Sequence, residues 1–178
     1  RLSLDDEYIE SDKSVKYKEG FIKSSNLFYG EEHNYNGFDY LWNTENADTS
    51  GWLDSIETDI QQSELYIQNC NKDKIIKKIK PKLIDHKDGL FVYDAGINIS
   101  GYPVIYCEKK NEHIQVECAE RINDDNTLNF ISMGGGKGQK CTMKYITDGI
   151  TNTFNPIFTW QGFRYFTVTD NATALECH

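Results

Sequence analysis

An all-β chain, an antiparallel β-sandwich preceded by a strand-and-loop segment, is what this sequence predicts, on three observations. The run from Phe158 to Thr169 is dense in aromatic and β-branched side chains, the types that suit a pleated, half-buried surface. Shorter runs of the same kind recur at short intervals with turn residues between them, as in a sandwich. Apolar side chains show almost no 3.6-residue period, so no long amphipathic helix is written into the chain. Within the long run, side chains two apart share a face. Phe163, Tyr165, Thr167 and Thr169 are therefore expected on one side, and Arg164, Phe166 and Val168 on the other. Gly162 marks a bend or a close approach of another backbone. Arg164, sharing a face with apolar residues, needs an acid, because an unpaired buried charge is strongly unfavourable. Asp94 and Glu120 are the candidate partners.

The remaining elements follow in order. Residues 1–17 read as a two-stranded hairpin carried by Leu2, Leu4, Tyr8, Val15 and Tyr17, and residues 21–29 as a third strand. From Gly30 to Asp59 the pattern breaks into loops dense in Asn, Asp, Gly and aromatics, Trp42 and Trp52 among them. Such loops are where a β scaffold carries its contacts. Leu53 to Gln62 has room for a helical turn or two. Strand patterns resume at residues 64–68 and 74–80, the second ending before Pro81, whose missing N–H closes the ladder. Residues 85–89 form the expected boundary between two regions, 1–84 and 85–178. Beyond it, strands are expected at 90–93, 102–107, 114–119, 140–146, 154–158 and 158–169.

A chain of 178 residues can bury one full core, not two full-sized ones. The net charge of -9 and pI near 4.9 exclude a nucleic-acid binder, which needs clustered Lys and Arg against phosphates. The one basic cluster, Lys72 to Lys82, alternates with Ile75, Ile76 and Ile79 and reads as the solvated side of an edge strand. Mean hydropathy is -0.64 and no apolar run approaches the ~20 residues that span a bilayer, so no membrane protein is expected. The chain begins at Arg1 without an apolar signal region and reads as an excised piece of something longer. Five cysteines, odd in number and without CxxC spacing, are poor material for a disulfide framework and favour a reducing cytoplasm. Sequons stand at Asn98-Ile99-Ser100 and Asn171-Ala172-Thr173.

Three separated phrases then carry a resemblance. They are Tyr93-Asp94-Ala95-Gly96-Ile97-Asn98-Ile99-Ser100-Gly101-Tyr102, then Ala119-Glu120-Arg121-Ile122 with Asp125-Asn126-Thr127-Leu128, then Pro156 through Tyr165 with Gly162, Phe163 and Arg164 inside it. Their order and spacing resemble the concanavalin-like, jelly-roll β-sandwich of bacterial α-L-rhamnosidases, family 78 of the glycoside hydrolases. Residues 11–17, Phe28-Tyr29-Gly30-Glu31, residues 47–52 and Lys77 to Pro81 resemble the end of the N-terminal sandwich that precedes that module. The resemblance implies an accessory segment whose catalytic (α/α)6 domain lies elsewhere in the same parent chain. It implies an inverting parent, with acid and base roughly 6.5–9.5 Å apart, and no catalytic residue here. In related enzymes the N-terminal sandwich can hold rhamnose through calcium, by an Asp shortly after the Gly-Glu pair. The matching position is Asn34, so the calcium candidates are Glu31 and Asn34, with one anionic ligand lost.

Other chemistry-bearing patterns fall short. Glu57-Thr58-Asp59 followed by Gln62 has two acids of the Glu-x-Asp-x-x-Glu signature and lacks the third, so no proton donor is supplied. Gly134-Gly135-Gly136-Lys137-Gly138 lacks the spacing and hydroxyl of a phosphate loop. His33, His86, His113 and His178 are scattered without ligand spacing. Asn34, Tyr35 and Trp42 are the candidate carbohydrate contacts, with Tyr40, Glu31 and Asp39 beside them. An aromatic face suits the C–H side of a sugar and a few polar groups fix its hydroxyls. The competing reading has Trp42 and Trp52 plugging the end of a sandwich.

Overall fold

The computed structural model describes residues 2–4, 7–9, 12–58, 64, 66–132 and 140–178. Among these the regular structure is strand throughout, with no helix. In chain order the strands are β1 (Leu2–Leu4), β2 (Glu7–Ile9), β3 (Lys16–Tyr17), β4 (Ile22–Asn26), β5 (Gly30–Asn34), β6 (Leu53–Asp54), β7 (Lys82–Lys87) and β8 (Leu90–Gly101). They continue with β9 (Pro103–Tyr106), β10 (Lys110–Ala119), β11 (Arg121–Ile122), β12 (Leu128–Asn129), β13 (Thr142–Asp148), β14 (Thr153–Phe154), β15 (Gln161–Thr169) and β16 (Thr173–Cys177). The chain divides into two compact units, Arg1–Gly20 with Asp39–Asp73, and Phe21–Phe38 with Lys74–His178.

In the first unit β1 pairs with β2 as an antiparallel hairpin, and β3 pairs with β6. Between them residues 39–52 form a series of tight turns, with Trp42 N–H donating to Asp39 O and Thr44 N–H to Leu41 O. Residues 53–58 are not helical: Leu53 and Asp54 are the strand, and residues 59–62 lie outside the described residues. No strand forms at 64 or 66–68; Tyr66 and Ile67 stand almost fully exposed. Leu65 lies outside the described residues, as does the glycine run 134–138. Local β propensity does not hold a strand without a partner to share its ladder.

The second unit is a two-sheet sandwich. A seven-stranded sheet in the order β4-β5-β13-β10-β15-β8-β7 faces a three-stranded sheet β14-β9-β16. Their shared core contains Val116, Met143, Phe166 and Val168 from the larger sheet and Ile105, Phe154 and Cys177 from the smaller. β10 shows why: Ile114, Val116 and Cys118 are buried while His113, Gln115 and Glu117 face outward, the two-residue alternation of a half-buried strand. Cys107, Cys118, Cys141 and Cys177 are buried free thiols. Burial raises Cys118 well above its ordinary value and pushes Cys141 to about 11 and Cys177 to about 12, so they pack as small apolar groups.

Several strands differ from expectation for physical reasons. Residues 30–34, expected in a loop, are β5, which pairs with β13 in parallel and so departs from a purely antiparallel sheet. Residues 74–80, expected as a strand, make only an isolated bridge from Ile79 to Cys177, because Ile75 and Ile76 have nothing to pack on and stay exposed. Residues 82–87, partly assigned to a boundary, are β7, joined to β8 by a two-residue turn at Asp88 and Gly89 with φ of 52° and 74°. Positive φ at both positions matches the twist of a hairpin. Of the expected 154–158 strand only Phe154 pairs with a neighbour, together with Thr153 just before it.

Candidate functional site

The three signature phrases of the second half fall on β8, on the end of β10 with β11 and the start of β12, and on the loop and first half of β15. Phe163, Phe166 and Val168 are all buried in the core, so the alternation expected for β15 slips by one residue. The register shows the cause: Phe163 faces Ile99 while Tyr165 faces Asp94, leaving residues 95–98 of β8 bulged opposite Arg164. A bulge redirects side chains in this way, and Arg164 leaves the face it was expected to share with Phe166. Asp94 builds the bulge, its Oδ1 accepting the Gly96 N–H at 2.6 Å, with Gly96 at a φ of 82° that a side chain would resist.

Of the two candidate acids, Asp94 holds Arg164. Nε donates to Oδ1 at 2.9 Å and Nη2 to Oδ2 at 3.0 Å, a two-point fork, while the guanidinium lies 4.9 Å from the Tyr165 ring centre. The side chains are 39 % and 19 % exposed. Arg164 holds the Asp94 carboxyl below its usual range against the opposing effect of burial, helped by the Gly96 amide and Lys82. Glu120 instead accepts from Asn98 Nδ2 at 3.4 Å. A Cβ on Gly162 would meet only Glu120 Oε1 at an ordinary 3.5 Å, so no backbone crowds Gly162. The close approach belongs to Gly101, where a Cβ would sit 1.7 Å from the His178 carbonyl oxygen.

The calcium candidates are committed elsewhere. Glu31 is 2 % exposed; the Ile157 N–H donates to its Oε2 at 2.9 Å and the Phe158 N–H to its Oε1 at 2.6 Å. His33 Nε2 lies 2.8 Å from Oε2. Burial alone would raise this carboxyl, but the Ile157 amide, His33, the Phe158 amide and Thr159 together bring it below its ordinary value. Donors, rather than oxygens, surround it. Asn34 Oδ1 accepts the Asn36 N–H at 3.0 Å. These residues do not fit a calcium ion, which needs several converging oxygens. Among the described residues no group of three His, Cys, Asp or Glu side chains is placed to hold a metal.

Tyr35, a candidate sugar contact, is core: it stacks on Phe21 at 4.6 Å and meets Phe154 edge-on at 5.3 Å. Trp42 belongs to the first unit and is 49 % exposed. Trp52 donates its indole N–H to Asp48 O at 3.1 Å, and Asp39 caps the Leu41 N–H at 2.9 Å. Glu31 is the residue whose role sequence reading missed. The signal was the period-2 series Glu31, His33, Tyr35, all buried, obscured because two of the three are polar.

Residues 84–177 match the bacterial alpha-L-rhamnosidase concanavalin-like domain, more than half of the chain. The chain belongs to the bacterial α-L-rhamnosidase family. Residues 3–77 match the alpha-L-rhamnosidase N-terminal domain. An α-L-rhamnosidase of Streptomyces avermitilis is 27 % identical over 167 residues, 92 % of this chain and 16 % of that protein. The solved α-L-rhamnosidase of Dictyoglumus thermophilum is 28 % identical, with a TM-score of 0.81, over 96 % of this chain and 20 % of that one. Two further rhamnosidase structures support the fold at 24 % identity and a TM-score of 0.80: the Aspergillus terreus enzyme, and the S. avermitilis enzyme complexed with L-rhamnose. They are covered over 21 % and 17 % of their lengths. This chain thus spans about a fifth or less of the relatives it matches.

Proposed function

We propose that the chain is a non-catalytic accessory β-sandwich segment of an α-L-rhamnosidase-like glycoside hydrolase, packing against a catalytic domain of the same parent chain. The carrying observation is the mismatch of coverage: 92 % of this chain aligns within 16 % of a relative. The placement of its acids supports the reading. Glu31 and Asp94 are engaged by structural donors, and the Asp148 carboxylate caps the Ile150 and Thr151 amides. Inverting hydrolysis instead needs two free carboxylates roughly 6.5–9.5 Å apart about a water. Residues 1–84 would be the end of the family's N-terminal region, lending β4 and β5 to the sandwich of residues 85–178.

The test is hydrolysis of an aryl α-L-rhamnoside by the pure 178-residue chain: no product is expected, and measurable release overturns the proposal. A second reading, a carbohydrate-binding module with weak rhamnoside affinity, is favoured by one observation, the exposed Trp42 with Tyr40 close by in sequence. Titration with L-rhamnose, with and without calcium, separates the two. Heat of binding, or a rise in thermal midpoint as ligand favours the folded state, supports the module.

A further inference from the structure

Two segments of the second unit expose apolar side chains from a common anchorage. The turn 27–29 between β4 and β5 carries Leu27, Phe28 and Tyr29; the loop before β15 carries Ile157, Phe158 and Trp160. All six are between 49 % and 64 % exposed. Both segments are tied to Glu31 and the start of β13. Tyr29 O accepts the Thr142 N–H at 3.0 Å, and a Cβ on Gly30 would lie 2.1 Å from Thr142 O. Glu31 holds the Ile157 and Phe158 amides, and Thr159, buried beneath the loop, lies 4.0 Å from Met143 Sδ. Asn26 Oδ1 caps the turn by accepting from Phe28 and Tyr29. The side chains are presented by backbone already fixed, so little ordering entropy opposes their burial.

We infer that this ridge is the seat on which the remainder of the rhamnosidase polypeptide docks, a step that rests on the accessory-segment reading above. The six residues carry no charge on a chain of net charge -9, and exposed apolar side chains gathered on one anchorage mark an interaction face. A second copy would bring two such charges together, which self-repulsion opposes. A sugar needs polar groups turned toward it, and here the amides of Ile157 and Phe158 point inward to Glu31. Relatives extend over about four-fifths or more of their length beyond the matched portion, and polypeptide of that extent tethered to this chain is the partner the ridge would take.

Hydroxyl-radical footprinting of the 178-residue chain and of the full-length polypeptide tests it. Oxidation of Phe28, Tyr29, Phe158 and Trp160 should fall about fivefold in the full-length form, the change from half-exposed to interior-like packing. Phe158→Asp in the full-length form should restore oxidation of Tyr29, while leaving the unfolding midpoint of the 178-residue chain unchanged. Equal oxidation in both forms, protection that survives Phe158→Asp, or a natural polypeptide no longer than this chain overturns the inference. Aryl rhamnoside hydrolysis by the full-length form is read separately. Activity without protection overturns the docking alone; protection without activity supports docking and overturns the assignment of the parent.

Discussion

Two carboxylates anchor this sandwich, and they do so in opposite ways. Glu31 sits in the dry interior and is held by neutral donors, two backbone amides and an imidazole. Asp94 sits on a partly wetted face and is held by a guanidinium. The interior anchor has no solvent to replace a lost partner, because an orphaned buried donor keeps its full desolvation penalty. The surface anchor has water on hand and is screened by it. Position, more than formal charge, therefore decides how much each acid contributes.

The largest expected effect is Glu31→Ala, which strands two amides and leaves a void, lowering unfolding free energy by about 4 kcal/mol in urea titration. A loss equal to that of Asp94→Ala would erase the contrast. Gly30→Ala comes next. A side chain at its φ of 94° would also meet the Thr142 carbonyl at 2.1 Å, and strain with overpacking predicts about 3 kcal/mol. Gly162→Ala, by contrast, should stay within about 0.5 kcal/mol.

Acid should weaken the interior anchor first. Burial lowers the His33 pKa below its ordinary 6.5, against the opposing pull of Glu31. The unfolded chain therefore binds more protons below pH 6.5, and stability, full above it, falls as pH drops. The slope is at most about 1.4 kcal/mol per pH unit for one proton. Glu31 and Asp94, lowered from 4.5 and 3.8, add stability present above those values and lost as pH falls through their folded values. Thermal midpoints flat between pH 6.5 and 4.5 would show that His33 is not held neutral. The smallest contrast is in salt. A double-mutant cycle on Asp94 and Arg164 should give a coupling of about 1 kcal/mol that shrinks at high ionic strength, while the loss in Glu31→Ala should hardly change.

The same contrast explains what could be read in advance. β10 was legible because its inward residues are apolar and alternate with polar ones, and β15 because it is a long run of aromatic and β-branched residues, although its alternation slips at Arg164. β5 has the same alternation, but its inward residues are Glu31 and His33, so hydrophobicity carries no signal and the segment reads as loop. The stretch 74–80 failed in the opposite direction, with Ile75 and Ile76 having no face to cover and only Ile79 packed on the core. The pairing of Arg164 with an acid followed from charge alone, whereas its escape from the core face followed from a bulge across the ladder, which composition along one strand does not encode. Tyr35, Asn34 and Glu31 looked like ligand contacts because aromatic and polar side chains serve an aromatic core as readily as a sugar.

The parallel seam between β5 and β13 joins Glu32–Asn34 to Lys144–Ile146, segments far apart in sequence. A polypeptide cut to begin at residue 85 would lack β4 and β5 and leave β13 as the sheet edge, with a row of bare N–H and C=O groups and an unlidded aromatic floor at Tyr145 and Phe154. An open rim of that kind templates pairing with another molecule. Such a truncation is expected to form strand-swapped oligomers or inclusion bodies, and co-expression of a peptide covering residues 21–38 should return it to the monomer.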